Sequence, residues 1–170
     1  LEGLFAALEH LSGIPLIHRD IKPANVLVVI VDGVLQKILV TDFGEAKQLT
    51  QTMTRRALAG TQAGTPLYMA PEMREADEEK GPKADVFSAG VLAIEMSTRE
   101  APNPGPEMVK EGRRRVAVPE EQRRAADIAA VRNEAVLEIV QRSVVDDESE
   151  RADASALHSL CTVWLAEAQP

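Results

Sequence analysis

Asp20, Lys22 and Asn25 fall within the octet His18-Arg19-Asp20-Ile21-Lys22-Pro23-Ala24-Asn25, and Asp42-Phe43-Gly44 follows, with Asp42 seventeen positions after Asn25. These residue types can do a definite chemistry together. A hydroxyl nucleophile must be oriented and must lose its proton, and a carboxylate within hydrogen-bond reach does both; Asp20 is the candidate. Mg²⁺ takes oxygen ligands and keeps several waters, and Asp42 offers a carboxylate and Asn25 an amide oxygen. Charge spreading over a transferred phosphoryl group needs a nearby cation, and Lys22 stands two residues after Asp20. The set suits transfer of a phosphoryl group from ATP to a hydroxyl. A lone His-Arg-Asp or a lone Asp-Phe-Gly is weak evidence. The ordered series H-R-D-x-K-x-x-N, D-F-G and Ala70-Pro71-Glu72 is specific.

Local patterns say what must hold these groups in place. Leu1, Leu4, Phe5, Leu8 and Leu11 recur at helical spacing, which predicts an amphipathic helix ending near Ser12-Gly13, with Pro15 beyond. Val26 to Ile30 reads as a strand, Asp32-Gly33 as a two-residue hairpin turn, and Val34 to Val40 as the returning strand with imperfect alternation. Residues 45–66 lack periodicity and read as a long loop, the kind that is usually functional or disordered. The run from Asp85 to Met96 is apolar almost all round and predicts a buried central helix. Residues 101–106 are a hard break. From about Glu120 the chain reads as helical, with Val136, Leu137, Ile139 and Val140 on one face. A last helix runs from about Ala154 to Ala166, with Leu157, Leu160, Cys161 and Trp164 inward. The fold class is a mostly α body carrying one small β-hairpin.

Composition narrows the partners. The chain has 170 residues, enough for one domain with a real core, 45% of them apolar and 27% charged. A net charge of −8 argues against a general nucleic-acid-binding role. The basic runs Arg113-Arg114-Arg115 and Arg123-Arg124 sit beside Glu111, Glu120 and Glu121 and read as mixed-sign helix surface. The single cysteine, Cys161, reads as a small buried hydrophobe and allows no internal disulfide. No apolar run reaches the length of a membrane span. These features fit a reducing, cytoplasmic setting. Residue 1 is Leu rather than Met, so the chain is read as starting inside a longer protein whose upstream part is open to carry targeting segments.

The motifs resemble those of the eukaryotic-type serine/threonine protein kinases, and the resemblance runs over essentially all 170 residues as the C-terminal lobe of that domain. It implies protein substrates, ATP and Mg²⁺. It makes Asp20 the base, Lys22 the γ-phosphate contact, and Asn25 and Asp42 the metal ligands. Residues 42–72 become the activation segment. Gly64-Thr65-Pro66-Leu67-Tyr68-Met69-Ala70-Pro71-Glu72 becomes the stretch that receives the substrate peptide, with Thr65 bonded to the base and the lysine. Lys22 and Thr65 both mark the serine/threonine type. His18 and Phe43 become parts of a stacked spine rather than catalytic groups. Asp85 holds the catalytic-loop backbone, its plainer reading being a helix N-cap. Glu72 pairs with Arg151 as a buried geometric lock. Arg19 and Lys47 become phosphate contacts for a phosphorylated Thr61, which would order the segment and switch the enzyme on. Phe87 stands where Trp is frequent.

Such kinases also carry a glycine-rich loop, a strand lysine and a helix glutamate in an N-terminal lobe. No counterpart of these occurs before His18. The expectation is therefore negligible kinase activity and weak nucleotide affinity for these residues alone, with apolar surface exposed where another lobe should pack. Two other readings stay open beside a fragment of an active kinase: a catalytically inert truncated binding module, and a pseudokinase.

Overall fold

The computed structural model describes residues 1–14, 16–48, 65–74, 81–101, 108–111 and 114–168. Among them are five helices: α1 (Glu2–Gly13), α2 (Lys83–Thr98), α3 (Glu120–Ala129), α4 (Glu134–Ser143) and α5 (Ala154–Glu167). Six short strands form three antiparallel two-stranded sheets: β1 (Leu16–Ile17) with β4 (Lys47–Gln48), β2 (Val26–Val31) with β3 (Val34–Val40), and β5 (Met108–Glu111) with β6 (Arg114–Ala117).

α2 is the axis of the molecule. Residues 84–94 are all buried, as expected for a helix with no polar face. One side of it (Val86, Ala89, Leu92) meets Leu4, Phe5, Leu8 and Leu11 of α1 together with Leu157 and Cys161 of α5. Another side (Phe87, Val91, Ile94) meets Tyr68, Met69, Met73, Val131 and Val140. The apolar stripe of α1 therefore has two partners, α2 and α5. Leu160 and Trp164 pack at the edge of the same cluster, as their spacing predicts. α4 comes so close to α2 that a Cβ at Gly90 would lie 2.1 Å from Ser143 Oγ. Side-chain caps fix two helix starts: Asn133 accepts from Val136 N–H at 3.0 Å, and Asp153 accepts from Ala156 N–H at 2.8 Å.

The β2–β3 hairpin turns at Asp32 and Gly33, both with positive φ (52° and 77°), which suits the handedness of a tight two-residue turn. Val29 pairs with Lys37 but Ile30 pairs with Leu35, so Gln36 is a bulge and explains the imperfect alternation of β3. α1 supports the hairpin from below, where a Cβ at Gly3 would come within 3.1 Å of Ile38 Cβ. Much of the hairpin stays exposed: Ile30 is 61% accessible, Val34 58% and Leu35 56%.

The structure departs from the sequence expectation in three places. Lys47–Gln48 is a strand, not loop, because Leu16–Ile17 offers it a ladder. Residues 114–117 are a strand, not helix surface. The body thus carries three small sheets rather than one hairpin. Residues 49–64 of the expected loop and 102–106 of the break lie outside the described residues.

Candidate active site

β1 delivers the chain into residues 18–25, and the loop is held from beneath. The Asp85 carboxylate accepts both the His18 N–H at 2.7 Å and the Arg19 N–H at 2.8 Å. Arg19 sits at φ 72°, an unfavourable left-handed value for a residue with a Cβ, so an external restraint is required. Asp85 is not a plain N-cap: the cap position is Pro82, without a side-chain bond, and both Asp85 oxygens face the loop. Burial pushes the Asp85 carboxyl up to about 6, opposed by the two N–H donors and by the positive charge of Arg19.

His18 is fully buried, and its ring meets Phe43 edge to face with centroids 4.8 Å apart. Its Nδ1 accepts the Asp20 N–H at 3.3 Å, so Nε2 carries the hydrogen and donates to Thr41 O at 2.9 Å. Both ring nitrogens are thus engaged with backbone. Phe43 itself remains 44% exposed.

Asp20 gathers the side chains around it. Its Oδ1 accepts the Thr65 hydroxyl at 2.9 Å, and its Oδ2 accepts Asn25 Nδ2 at 2.9 Å. Lys22 Nζ lies 2.7 Å from Asp20 Oδ2 and donates to Thr65 Oγ1 at 3.0 Å. Four residues spread over 45 positions of chain therefore close into one cluster. Burial pushes the Asp20 carboxyl up, but the bonds from Lys22, Thr65 and Asn25 outweigh it, and the group sits below its ordinary value.

Hairpin register brings the oxygen donors to one end. Val26 pairs with Val40, so Asn25 enters beside the residues that leave β3; Thr41 N–H donates to Asn25 O at 2.9 Å, and Asp42 follows at once. Asn25 is buried and directs its Nδ2 to both Asp20 O (2.8 Å) and Asp20 Oδ2, which turns Oδ1 away from protein donors among the described residues. Asp42 has φ 61° and is exposed, and among the described residues its carboxylate accepts only the Gly44 N–H, at 3.3 Å. Asn25 Oδ1 and the Asp42 carboxylate are hard oxygens of the kind Mg²⁺ takes, carried by residues at the same end of the hairpin. Among the described residues there is no cluster of three or more His, Cys, Asp and Glu side chains able to hold a metal.

Farther out, Arg151 and Glu72 form the expected buried pair, with Nη1 to Oε1 at 2.6 Å and Nη2 to Oε2 at 3.0 Å. Arg151 also donates to Val145 O (2.9 Å), Lys83 O (2.8 Å) and Asp146 O (3.3 Å), and its guanidinium lies 5.0 Å from the Phe87 ring centroid. Lys47 pairs across from Ile17, two residues before the buried Arg19. Desolvation lowers the Arg19 pKa, and the negative charges of Glu45 and Asp85 oppose this. Thr61 lies outside the described residues.

Two contacts of residues 65–74 had no signal in the sequence. Tyr68 donates its hydroxyl to Glu95 Oε2 at 2.6 Å, and burial first and then Glu95 raise the Tyr68 pKa. Arg74 bonds Glu120 and two backbone carbonyls. Partners 27 and 46 positions apart leave no local pattern to read.

The Asp20, Lys22, Asn25 and Thr65 cluster thus stands on a loop anchored by the buried helix α2, with Asp42 just beyond β3. The family model described as the protein kinase domain matches residues 1–165, and the chain belongs to that family. It is similar to serine/threonine-protein kinase PAK 1 of Mus musculus, 42% identical over 96 residues that make up 56% of this chain and 16% of that protein. It is also similar to serine/threonine-protein kinase pak-1 of Caenorhabditis elegans, 43% identical over 96 residues, 56% of this chain and 15% of the relative. A third relative, serine/threonine-protein kinase shk1/pak1 of Schizosaccharomyces pombe, is 42% identical over 102 residues, 60% of this chain and 14% of its own length. The matched part is thus a small fraction of each of these proteins.

Proposed function

We propose that residues 1–170 act as the C-terminal lobe of a serine/threonine protein kinase, with residues 42–72 as its activation segment, transferring the γ-phosphoryl group of ATP to Ser or Thr hydroxyls of proteins. The observation that carries this is the Asp20 carboxylate held at once by Thr65, Asn25 and Lys22. In this reading Asp20 orients the acceptor hydroxyl and receives its proton. The loose transition state of phosphoryl transfer places little demand on base strength, which is compatible with the lowered pKa of Asp20. Lys22 neutralises charge on the transferred group, and the Thr65 hydroxyl keeps Lys22 and Asp20 in fixed relation. Asn25 Oδ1 and the Asp42 carboxylate would hold Mg²⁺, which when bound supplies charge neutralisation on the phosphates. His18 and Phe43 act structurally, as do Asp85, Glu72 and Arg151. The glycine-rich loop and strand lysine of such enzymes have no counterpart in these residues and are assigned to a separate lobe. The exposed apolar face of the β2–β3 hairpin supports that assignment, since exposed apolar area of this kind marks an interaction surface.

The test is peptide phosphorylation by the full-length protein and by the 170-residue chain. Full-length protein should label Ser/Thr peptides, and Asp20→Asn should lower kcat by about 10²- to 10⁴-fold. The isolated chain should show no activity above background. Full-length protein that binds ATP–Mg²⁺ yet labels no peptide would leave only the pseudokinase reading. The proposal extends to Thr61, whose phosphate would pair with Arg19 and Lys47 and order the segment. Thr61→Ala should then reduce activity of the full-length protein severalfold, and unchanged activity would remove the switch.

A further inference from the structure

Arg74 stands two residues beyond Glu72, at the end of the 3₁₀ turn Pro71–Met73, so its root is fixed by the buried Glu72–Arg151 pair. Its guanidinium does two things at once. Nη1 meets both Glu120 oxygens at 2.7 Å, while Nη2 donates to Pro66 O at 3.1 Å and to Met69 O at 3.2 Å. Glu120 is not adrift either. Arg124 Nη2 bonds it at 2.7 Å, Arg124 Nη1 pairs with Asp146, and the Arg124 guanidinium lies 5.1 Å from the Phe87 ring centroid. Asp146 O in turn receives Arg151. A continuous strut therefore runs from the backbone of residues 66–69 to the first turn of α3 and back to the buried core.

Stability does not account for this arrangement. The Arg74 and Glu120 side chains are 35% and 45% exposed, and ion pairs so open contribute little to folding. What the strut does fix is the place of a backbone turn. Tyr68 N–H closes on Thr65 O at 3.0 Å and Met69 N–H on Pro66 O at 3.4 Å. The near end of that turn has its own restraint, because Thr65 bonds Asp20 and Lys22. The far end, residues 66–69, takes its side-chain restraints from Arg74 and from the Tyr68–Glu95 bond. Only a planar fork can serve a carboxylate and two carbonyls together.

We propose that Arg74, braced by Glu120, is a positioning residue for the acceptor peptide: it sets the far wall of the peptide-receiving turn without touching the reacting atoms. This rests on the kinase reading above. The prediction is a split between kinetic constants. In the full-length protein, Arg74→Gln should raise the peptide KM by about five- to tenfold, the scale of one ordinary net hydrogen bond at a partly exposed site, with kcat and the KM for ATP nearly unchanged. Arg74→Lys keeps the charge facing Glu120 but loses the fork, and should not restore the peptide KM. If Lys restores it, or if the peptide KM does not move in an active enzyme, the inference fails. A second arm needs no activity. In the 170-residue chain, Arg74→Gln should speed hydrogen exchange at the Tyr68 and Met69 amides severalfold, with α2 amides unchanged; equal exchange in both proteins would also overturn it. A full-length protein that phosphorylates no peptide, with the exchange change present, would sink the kinase reading instead and leave the strut as a tie between the turn and α3.

Discussion

At the scale of single residues, Arg151 shows how a buried charge is made tolerable. Its Nε and both terminal nitrogens are taken up by Glu72 and three carbonyls, and Phe87 covers one face. A pair of this kind is expensive to break from one side, because the remaining charge stays buried. Glu72→Gln should lower unfolding free energy by about 3–5 kcal/mol, measured by urea denaturation. Replacing both partners with Met would ordinarily be close to neutral, but here it would still strand the carbonyls of Lys83, Val145 and Asp146. The double variant should therefore remain clearly destabilised, and wild-type stability in it would show that the carbonyl bonds are unimportant. The pair was legible in the sequence because Glu72 belongs to a contiguous motif and Arg151 has a matching place. The clustering of Asp20 with Lys22 and Asn25 was legible for the same reason. Arg74, Glu120 and Glu95 were not, since each finds its partner through tertiary geometry alone.

At the scale of elements, the molecule is held by close helix approaches that sequence periodicity foretells only in part. The apolar stripes of α1, α4 and α5 and the largely apolar α2 were plain, whereas two-residue strands such as β1 and β4 are too short to carry an alternating pattern. Gly90 marks the tightest approach. An added methyl would lie 2.1 Å from Ser143 Oγ and 2.6 Å from Val144 Cγ2. Gly90→Ala should destabilise by about 1–3 kcal/mol despite the better helix propensity of Ala. Adding Ser143→Ala should recover only part of this, because Ser143 Cβ would still lie 2.8 Å away. The α1–α5 contact carries a different device. His158 on α5 bonds Glu9 at 2.6 Å and Glu2 at 3.2 Å on α1. Glu9 chiefly, then Glu2, raise the His158 pKa above 6.5, with burial opposing them. A raised folded-state pKa means that the charged clasp contributes fully below the unfolded value and is lost as pH rises through the folded one. His158→Gln should therefore lower Tm in mildly acidic buffer and leave it unchanged well above neutrality. A difference that grows with rising pH would reverse the assignment.

At the scale of the whole molecule, burial is uneven, and the unevenness has a direction. The two core clusters meet along α2, while the β2–β3 hairpin carries Leu27, Val28, Ile30, Val31, Val34, Leu35 and Leu39, all exposed, beyond the helical body. Ile30 pairs with Leu35 and Val31 with Val34, so apolar side chains crowd the turn on both strands. This hairpin also brings Asn25 and the residues that lead into Asp42 to its other end, so its apolar tip is tied mechanically to that end. An isolated chain with such a patch should associate with itself, since contiguous exposed apolar area is rare on monomers. Sedimentation velocity over a concentration series should show a rising mean mass for the 170-residue chain. Ile30→Thr with Leu35→Thr keeps β-branched or strand-tolerant residues at both positions while removing apolar area, so the hairpin should persist and the association should fall. Because neither side chain belongs to the two core clusters, Tm should change by little. A double variant that still associates as strongly as the wild type would locate the sticky surface elsewhere. One that loses several degrees in Tm would show that the hairpin tip supports the fold rather than awaiting a partner.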